Sequence, residues 1–146
     1  MDEVFNPYNS FNKALLGSTQ VANIAGISSR QLRYWEQQGY IQSAPQKANN
    51  ARQYSVNTTL KIIIIAHYNH KGINLKKAVS IADDMLIQAR AIGQLITLGY
   101  QGFEQHSSST NLFLGPVANQ PEKQIVSIIQ NNKVSFKLDN KVKEYH

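Results

Sequence analysis

The chain has 146 residues and a formal net charge of +6, with 42% hydrophobic and 16% charged residues. This length suits one domain, or a small domain with an appendage, and the apolar content is enough for a modest core. The absence of cysteine excludes disulfides and thiolate metal ligands. The first residues do not form a signal peptide, and the longest apolar run, Ile62 to Ala66, is too short to span a bilayer, so we expect a cytoplasmic protein without membrane contact.

The positive charge is concentrated in one part of the chain. Residues 18–90 carry the whole net charge of +6, because the charges of the flanking segments nearly cancel. A basic segment between near-neutral flanks is typical of a module that binds a polyanion. We therefore expect three segments: an N-terminal segment at 1–17, a binding domain at 18–90 and a C-terminal appendage at 91–146.

The N-terminal segment mixes aromatic side chains with turn-forming residues. Phe5, Tyr8 and Phe11 are too apolar to be left in solvent together. We expect this segment to pack, in the simplest case on its own domain.

Two short helices are predicted next. The first begins at Ser18 as its N-cap and ends at Gly26, and the second begins at Ser28, where Gln31 completes a capping box. Gly39 ends the second helix. Two capped helices joined by a turn that contains glycine indicate a helix-turn-helix, in which the second helix enters the major groove of DNA.

The second helix has two different faces. Leu32 and Trp35 are spaced to point inward. The outer face has guanidinium, phenol, amide and hydroxyl groups and no acid, from Ser29, Arg30, Arg33, Tyr34 and Gln37. Such groups suit phosphates and base edges, although a merely solvated face is the alternative interpretation of this helix taken alone.

Several short motifs resemble the DNA-binding domain of the MerR superfamily of bacterial transcription regulators. They are Val21-Ala22, Gly26-Ile27-Ser28, Arg30 to Glu36 and Gly39-Tyr40-Ile41, in the order and spacing of that family. Ser29 to Tyr34 and Asn50 to Asn57 are more similar to its nitrogen-regulator branch, the GlnR and TnrA proteins. The resemblance covers roughly Leu16 to Leu86.

The resemblance implies a winged helix-turn-helix. Residues 42–55 are then a two-stranded wing beside the recognition helix. The family has an arginine where Arg52 stands and an aromatic residue where Tyr54 stands, and Lys47 is expected to contact a phosphate. The expected DNA contacts are Ser18, Thr19, Ser29, Arg30, Arg33, Tyr34, Gln37, Lys47, Asn50, Arg52 and Tyr54. Arg30, in the first turn, is expected to read a base edge, and Arg33, one turn later, to hold a phosphate.

Two further helices are predicted after the wing. Ser55 or Asn57 caps the third; its four consecutive isoleucines also fit a buried strand, but the apolar stretch continues to Tyr68, which favours a helix. Asn74 caps the fourth, which we expect to run to about Ile96.

The C-terminal segment departs from the MerR pattern, because no heptads for a coiled coil follow. Glu104 to Ser109 is predicted as a loop, Asn111 to Val117 and Lys133 to Leu138 as strands, and Pro121 to Gln130 as either a helix or a strand. The predicted fold is therefore mainly α: a winged helix-turn-helix with a small α+β appendage.

Catalytic and metal chemistry have little support in the sequence. His67 and His70 have the spacing of a metal pair but no third ligand near them, and Asp83 and Asp84, as neighbours on a helix, do not face each other. No nucleotide-binding, hydrolase or metalloprotease motif is present. We therefore expect that the protein is not an enzyme and that it has no catalytic residue, metal or cofactor.

Three functions remain open. The first is a dimeric transcription regulator that binds double-stranded DNA at a palindrome. The second is a plasmid or phage partitioning or architectural DNA-binding protein, and the third is a protein-interaction module that has lost DNA binding. A small-molecule or protein effector is compatible with the first. We expect the homodimer contact in the helix from Leu75 to Ile96 together with the appendage, and the N-terminal segment, which has this role in GlnR-like relatives, is the alternative.

Overall fold

The computed structural model describes residues 5–45 and 51–141. The elements are α1 (Pro7–Phe11), β1 (Leu15–Gly17), α2 (Ser18–Ala25), α3 (Ser29–Gln37), β2 (Gln53–Ser55), α4 (Val56–His70), α5 (Leu75–Gly99), β3 (Gly102–Gln105), β4 (Thr110–Val117), β5 (Gln120–Gln130) and β6 (Lys133–Asn140). The chain divides into two compact units. One contains residues 9–91, and the other contains residues 92–146 with 1–8.

The predicted helix-turn-helix is present, with one correction at its start. Gly17, not Ser18, is the N-cap of α2, and its N–H donates to Oε1 of Gln20 at 3.0 Å. Gly26 ends this helix with a φ of 67°, a left-handed conformation that glycine adopts without a steric penalty. The capping box of α3 is confirmed: the Gln31 N–H donates to Oγ of Ser28 at 3.1 Å, and the Ser28 N–H donates to Oε1 of Gln31 at 2.9 Å.

The core of the unit at 9–91 lies among α2, α3, α4 and the first part of α5. Leu32 and Trp35 are buried, as predicted from their spacing. They join a cluster of buried side chains that includes Val21, Ala22, Ile41, Ile62, Ile65 and Ala78. Full burial of a large apolar side chain contributes about 1.5–3 kcal/mol, so this cluster fixes the orientation of α3.

The described part of the wing has one strand where the sequence predicts a two-stranded hairpin. Among the described residues, its one strand, β2, pairs in antiparallel fashion with β1 before the helix-turn-helix, with Leu16 opposite Tyr54. The described contact across the loop is a single backbone hydrogen bond, in which the Ala44 N–H donates to the Gln53 carbonyl at 2.8 Å. Residues 46–50 lie outside the described ranges.

The helical interpretation of the four isoleucines is confirmed. Ser55 caps α4 by accepting from the Thr58 N–H at 3.1 Å, and Ile62 and Ile65 are buried in the core. Asn74 caps α5 by accepting from the Lys77 N–H at 2.9 Å. This helix has 25 residues and ends at Gly99, slightly beyond the expected end. Within the described ranges, no helix is long and apolar enough to cross a membrane.

The prediction of a mainly α fold is wrong. Of the described residues, 47% are helical and 28% lie in strands, and the C-terminal half has a four-stranded antiparallel sheet in the order β3-β4-β5-β6. Residues predicted as a loop from Glu104 contribute to β3, and Pro121 to Gln130 is a strand rather than a helix. The pattern of Ile125, Val126, Ile128 and Ile129 fits both states, and pairing with β4 and β6 decides between them.

The turn between β5 and β6 is made by Asn131 and Asn132. Both have a positive φ, 51° and 56°, which a two-residue hairpin loop requires when it matches the twist of its strands. Asparagine tolerates this conformation better than most residues. The Gln130–Lys133 pair next to the turn fixes the register of the hairpin.

The N-terminal segment does not bury its aromatic side chains. Phe5, Tyr8 and Phe11 are exposed, so the prediction that they pack on their own domain is wrong. Among the described residues of this segment, Asn6 is the buried one, and its Nδ2 donates to the carbonyl of Ile96 at 3.0 Å.

Candidate nucleic-acid interface

The outer face of α3 is presented by a helix whose inner face is locked in the core. Leu32 and Trp35 are each 2% exposed, whereas Arg30, Arg33 and Tyr34 are exposed on the other side. Ser29 and Gln37 are exposed on the same helix. We call Ser29, Arg30, Arg33, Tyr34 and Gln37 the α3 face. It offers hydrogen-bond donors and positive charge without an exposed acid, as a surface that contacts phosphates and base edges requires.

A groove of about 420 Å³ lies beside the α3 face. It is lined by Ser18, Thr19, Ser29, Leu32, Arg33, Arg52 and Tyr54. Two helices, α2 and α3, begin at this groove. The first backbone N–H groups of a helix and its dipole favour anions, and two guanidinium groups add positive charge. The groove therefore suits a phosphate of the nucleic-acid backbone, and it brings together predicted contacts from three separate parts of the chain.

Glu36 ties the end of α3 to the base of the wing. Its Oε2 lies 2.8 Å from Nη1 of Arg52, and its Oε1 accepts from the Ser43 N–H at 3.3 Å. The Tyr54 hydroxyl lies 3.5 Å from Oε2. Sequence reasoning missed this role. The available signal was that Glu36 is the single acid in an otherwise basic helix.

Arg52 therefore pairs with Glu36 and also lines the groove. Its side chain is 44% exposed, while that of Glu36 is 17% exposed. Arginine has five N–H donors, so the pair with Glu36 leaves donors free on the solvent side for a phosphate. The Glu36 carboxylate also offsets part of the positive charge of Arg52.

Tyr54 does not lie on the surface. Its residue is 1% exposed, and its ring belongs to the core cluster. Burial and the nearby Glu36 carboxylate raise the pKa of its phenol, against the opposing effect of Arg52, so the hydroxyl stays protonated at neutral pH. The side chain lies at the bottom of the groove, so its position does not support the predicted DNA contact at Tyr54.

The other predicted contacts are distributed around these features. Thr19 is exposed and Ser18 is partly exposed at the start of α2. Lys47 and Asn50 lie outside the described residues. Lys61, a basic residue of the same unit, is engaged elsewhere, because its Nζ lies 2.6 Å from Oδ1 of Asp83.

Among the described residues, the two histidines with metal spacing have no further ligands beside them. His67 and His70 are exposed near the end of α4. Within residues 5–45 and 51–141, no group of three or more potential ligand side chains converges on one point.

Comparison with known proteins adds one match. Residues 18–54 match the family described as MerR family regulatory protein. The matched segment contains α2, α3, the wing and most of β2, and it covers less than half of the chain. This match supports the predicted resemblance to the MerR superfamily, and the closer similarity to GlnR and TnrA stays a prediction. No curated protein matches the sequence.

Proposed function

We propose that this chain is a DNA-binding transcription regulator in which α3 enters the major groove. The observation that carries the proposal is the joining of the α3 face to the groove at the starts of α2 and α3, on a helix held by buried Leu32 and Trp35. The match of residues 18–54 to MerR family regulatory proteins supports the same function. A regulator of this kind works in the cytoplasm, on the nucleoid.

The geometry suggests separate roles for the two arginines of α3. Arg33 lines the groove together with Ser18, Thr19 and Arg52, and so faces the place that suits a phosphate. Arg30 is exposed in the first turn and does not line that groove. In helix-turn-helix proteins the first turn of the recognition helix reaches base edges, where arginine pairs best with guanine. We assign Arg30 to a base and Arg33 to the backbone.

Glu36 and Arg52 then act as a positioning pair. The carboxylate holds the guanidinium at the edge of the groove, where its remaining donors face solvent. The same carboxylate holds the Ser43 N–H, so α3 and the base of the wing keep a fixed spacing. A fixed spacing matters because the wing and the recognition helix contact the same duplex.

We further propose that two copies act together on a palindromic site. One helix of nine residues reads only a few base pairs, which is too few to select a site in a genome. Two-fold symmetry doubles the length read and places two copies of the α3 face on one side of the duplex.

The test is selection of bound duplexes from a random library by the intact protein. Enrichment of a sequence with two inverted half-sites is expected, with footprints on both. Arg33→Ala should reduce binding, whereas Lys133→Ala, which removes the same charge from an exposed residue of β6, should not. Failure of the intact protein to bind any duplex at low salt contradicts the proposal and favours a protein-interaction module.

A further inference from the structure

One side of the C-terminal sheet is largely apolar and open to solvent, with the small Ser127 buried at its centre. Cross-strand partners point to the same side, and the register places Ile125 opposite Leu138, Ile129 opposite Val134 and Ser127 opposite Phe136. Phe103 of β3 lies on the same side, because its cross-strand partner Leu112 is itself opposite Ser127. We call Phe103, Ile125, Ile129, Val134, Phe136 and Leu138 the apolar face.

The exposure of this face is unusual for large apolar side chains. Phe136 is 66% exposed, and Phe103 and Leu138 are each 58% exposed. The opposite side of the same sheet is a core, because the cross-strand pair Phe113 and Val126 is buried. A sheet that packs on one side ordinarily has polar residues on the other. Contiguous exposed apolar groups of this size mark an interaction surface.

The charges of the sheet avoid the apolar face. Lys133, Lys137 and Asp139 alternate with its residues along β6 and therefore point to the other side. Among the residues described in β3–β6, Lys123 is the charge on the apolar side, and it lies at the end of the face opposite Asn140. The face thus has an uncharged centre and a polar rim, the usual anatomy of a protein interface.

We infer that the apolar face packs against the same face of a second copy of this chain. In a two-fold contact each group near the axis meets its own copy, so any charge at the centre would repel itself. The uncharged centre removes that repulsion in a chain whose net charge is +6. The two sheets would stack about 10 Å apart with their strands at about 30°, as in a β-sandwich.

The chemistry of the face argues against a membrane as the occupant. Binding to an anionic bilayer combines apolar groups with basic groups at their border. Here one basic residue, Lys123, lies at the end of the face, and Lys133 and Lys137 project from the opposite side of the strand that carries Val134 and Phe136.

The area of the face sets the expected strength. Four strands over about seven residues cover an area that, counted on both copies, comes to roughly 900 Å². This is below the usual size of a stable interface, so we expect a dimer with a micromolar dissociation constant. Such a dimer would form cooperatively on DNA, and in this respect the inference rests on the proposed function, which requires two copies.

The test compares two variants on adjacent positions of β6. Phe136→Glu places a carboxylate on the apolar face, and Ser135→Glu places the same charge on the opposite side of the same exposed strand. In sedimentation velocity without DNA, the wild-type protein and Ser135→Glu should dimerise with rising concentration. Phe136→Glu should weaken dimerisation about 100-fold, because each copy would bury an unpaired charge.

Three results would overturn the inference: a wild-type protein that stays monomeric at high micromolar concentration, a Phe136→Glu variant that still dimerises, or equal loss in both variants. The last result would indicate pairing between β6 edges. Circular dichroism checks that both variants are folded. If Phe136→Glu is not folded, single cysteines introduced into the cysteine-free chain test whether the apolar face is the dimer contact. The thiol of Phe136→Cys should become protected from maleimide as concentration rises, and that of Ser135→Cys should stay reactive; equal reactivity contradicts the inference.

Failure of the inference and failure of the proposed function are separable. Sedimentation decides the apolar face whether or not the protein binds DNA. If both hold, Phe136→Glu should keep the affinity of the wild-type protein for a duplex with one half-site and lose cooperative binding to the palindrome. Unchanged cooperativity in this variant would place the dimer contact elsewhere.

Discussion

Nη1 of Arg52 lies 2.8 Å from Oε2 of Glu36, so a residue of the wing is tied to the last turn of the proposed recognition helix. The arginine is the more exposed partner, and the carboxylate also accepts from the Ser43 N–H. This arrangement has consequences for stability and for DNA binding that can be measured separately.

Replacing Glu36 with glutamine should weaken the attachment and release the Arg52 guanidinium. Because Arg52 is partly exposed, the loss of stability should be small, about 0.5–1.5 kcal/mol in urea unfolding. Affinity for random duplex should rise a few-fold, since each copy loses one negative charge beside the groove. Glu104→Gln, the same change at an exposed acid of β3, is the control and should change neither quantity. Reduced affinity of Glu36→Gln for random duplex would contradict this account of the pair.

Trp35 and Tyr34 are neighbours on α3 with opposite environments. Trp35→Ala should destabilise the protein by about 3–5 kcal/mol, because it removes a buried aromatic and leaves a cavity. Tyr34→Ala should change stability by less than about 0.5 kcal/mol, since surface substitutions usually have small effects, and should weaken DNA binding. Thermal unfolding and duplex titration of both variants check this. Similar stability losses in the two would mean that the helix is oriented differently.

Arg30 and Arg33 should differ in what their removal does to specificity. Arg30→Ala should cost roughly 1–3 kcal/mol on the selected site and flatten preference at one base pair. Arg33→Ala should weaken specific and random duplexes alike. Fluorescence anisotropy with a set of single-base variants of the site measures both effects. An equal loss on specific and random DNA for both mutants would refute the assignment of roles.

Binding should depend steeply on salt. A dimer with about 6–8 phosphate contacts should show a log–log slope near −5 to −7. Lys61 is paired with Asp83, so we expect the contacts to come from the groove, the wing and the exposed lysines Lys71, Lys76 and Lys77. Titrations at several salt concentrations give the slope. A slope shallower than about −2 would mean that the unit at residues 9–91 does not present a DNA-binding face.

Local signals in the sequence were sufficient for the helical part of the fold. The capping box at Ser28, the left-handed Gly26 and the cap at Asn74 act within a few residues and are predicted in place. Ser55 is one of the two caps predicted for α4, and Gly17 rather than Ser18 caps the first helix. The sequence predicts too little β-sheet because each strand is stabilised by pairing with the next strand, with partners as far apart as Thr110 and Ile129.

The candidate site shows the same division between local and distant contacts. The α3 face followed from helical periodicity, whereas the burial of Tyr54 and the role of Glu36 depend on residues about 18 positions apart meeting in space. A buried aromatic and an exposed one look alike in a sequence. The isoleucines of β5 show a related ambiguity, since their spacing fits either a helix or a strand.

The most direct test of the central claim is an amide NMR titration of the intact protein with its selected duplex. The account predicts that the largest chemical-shift changes fall on Ser29 to Gln37, on the start of α2 and on Arg52, with smaller changes in β3–β6. Changes that leave α3 untouched while the protein binds the duplex would contradict the claim that this helix is the recognition surface.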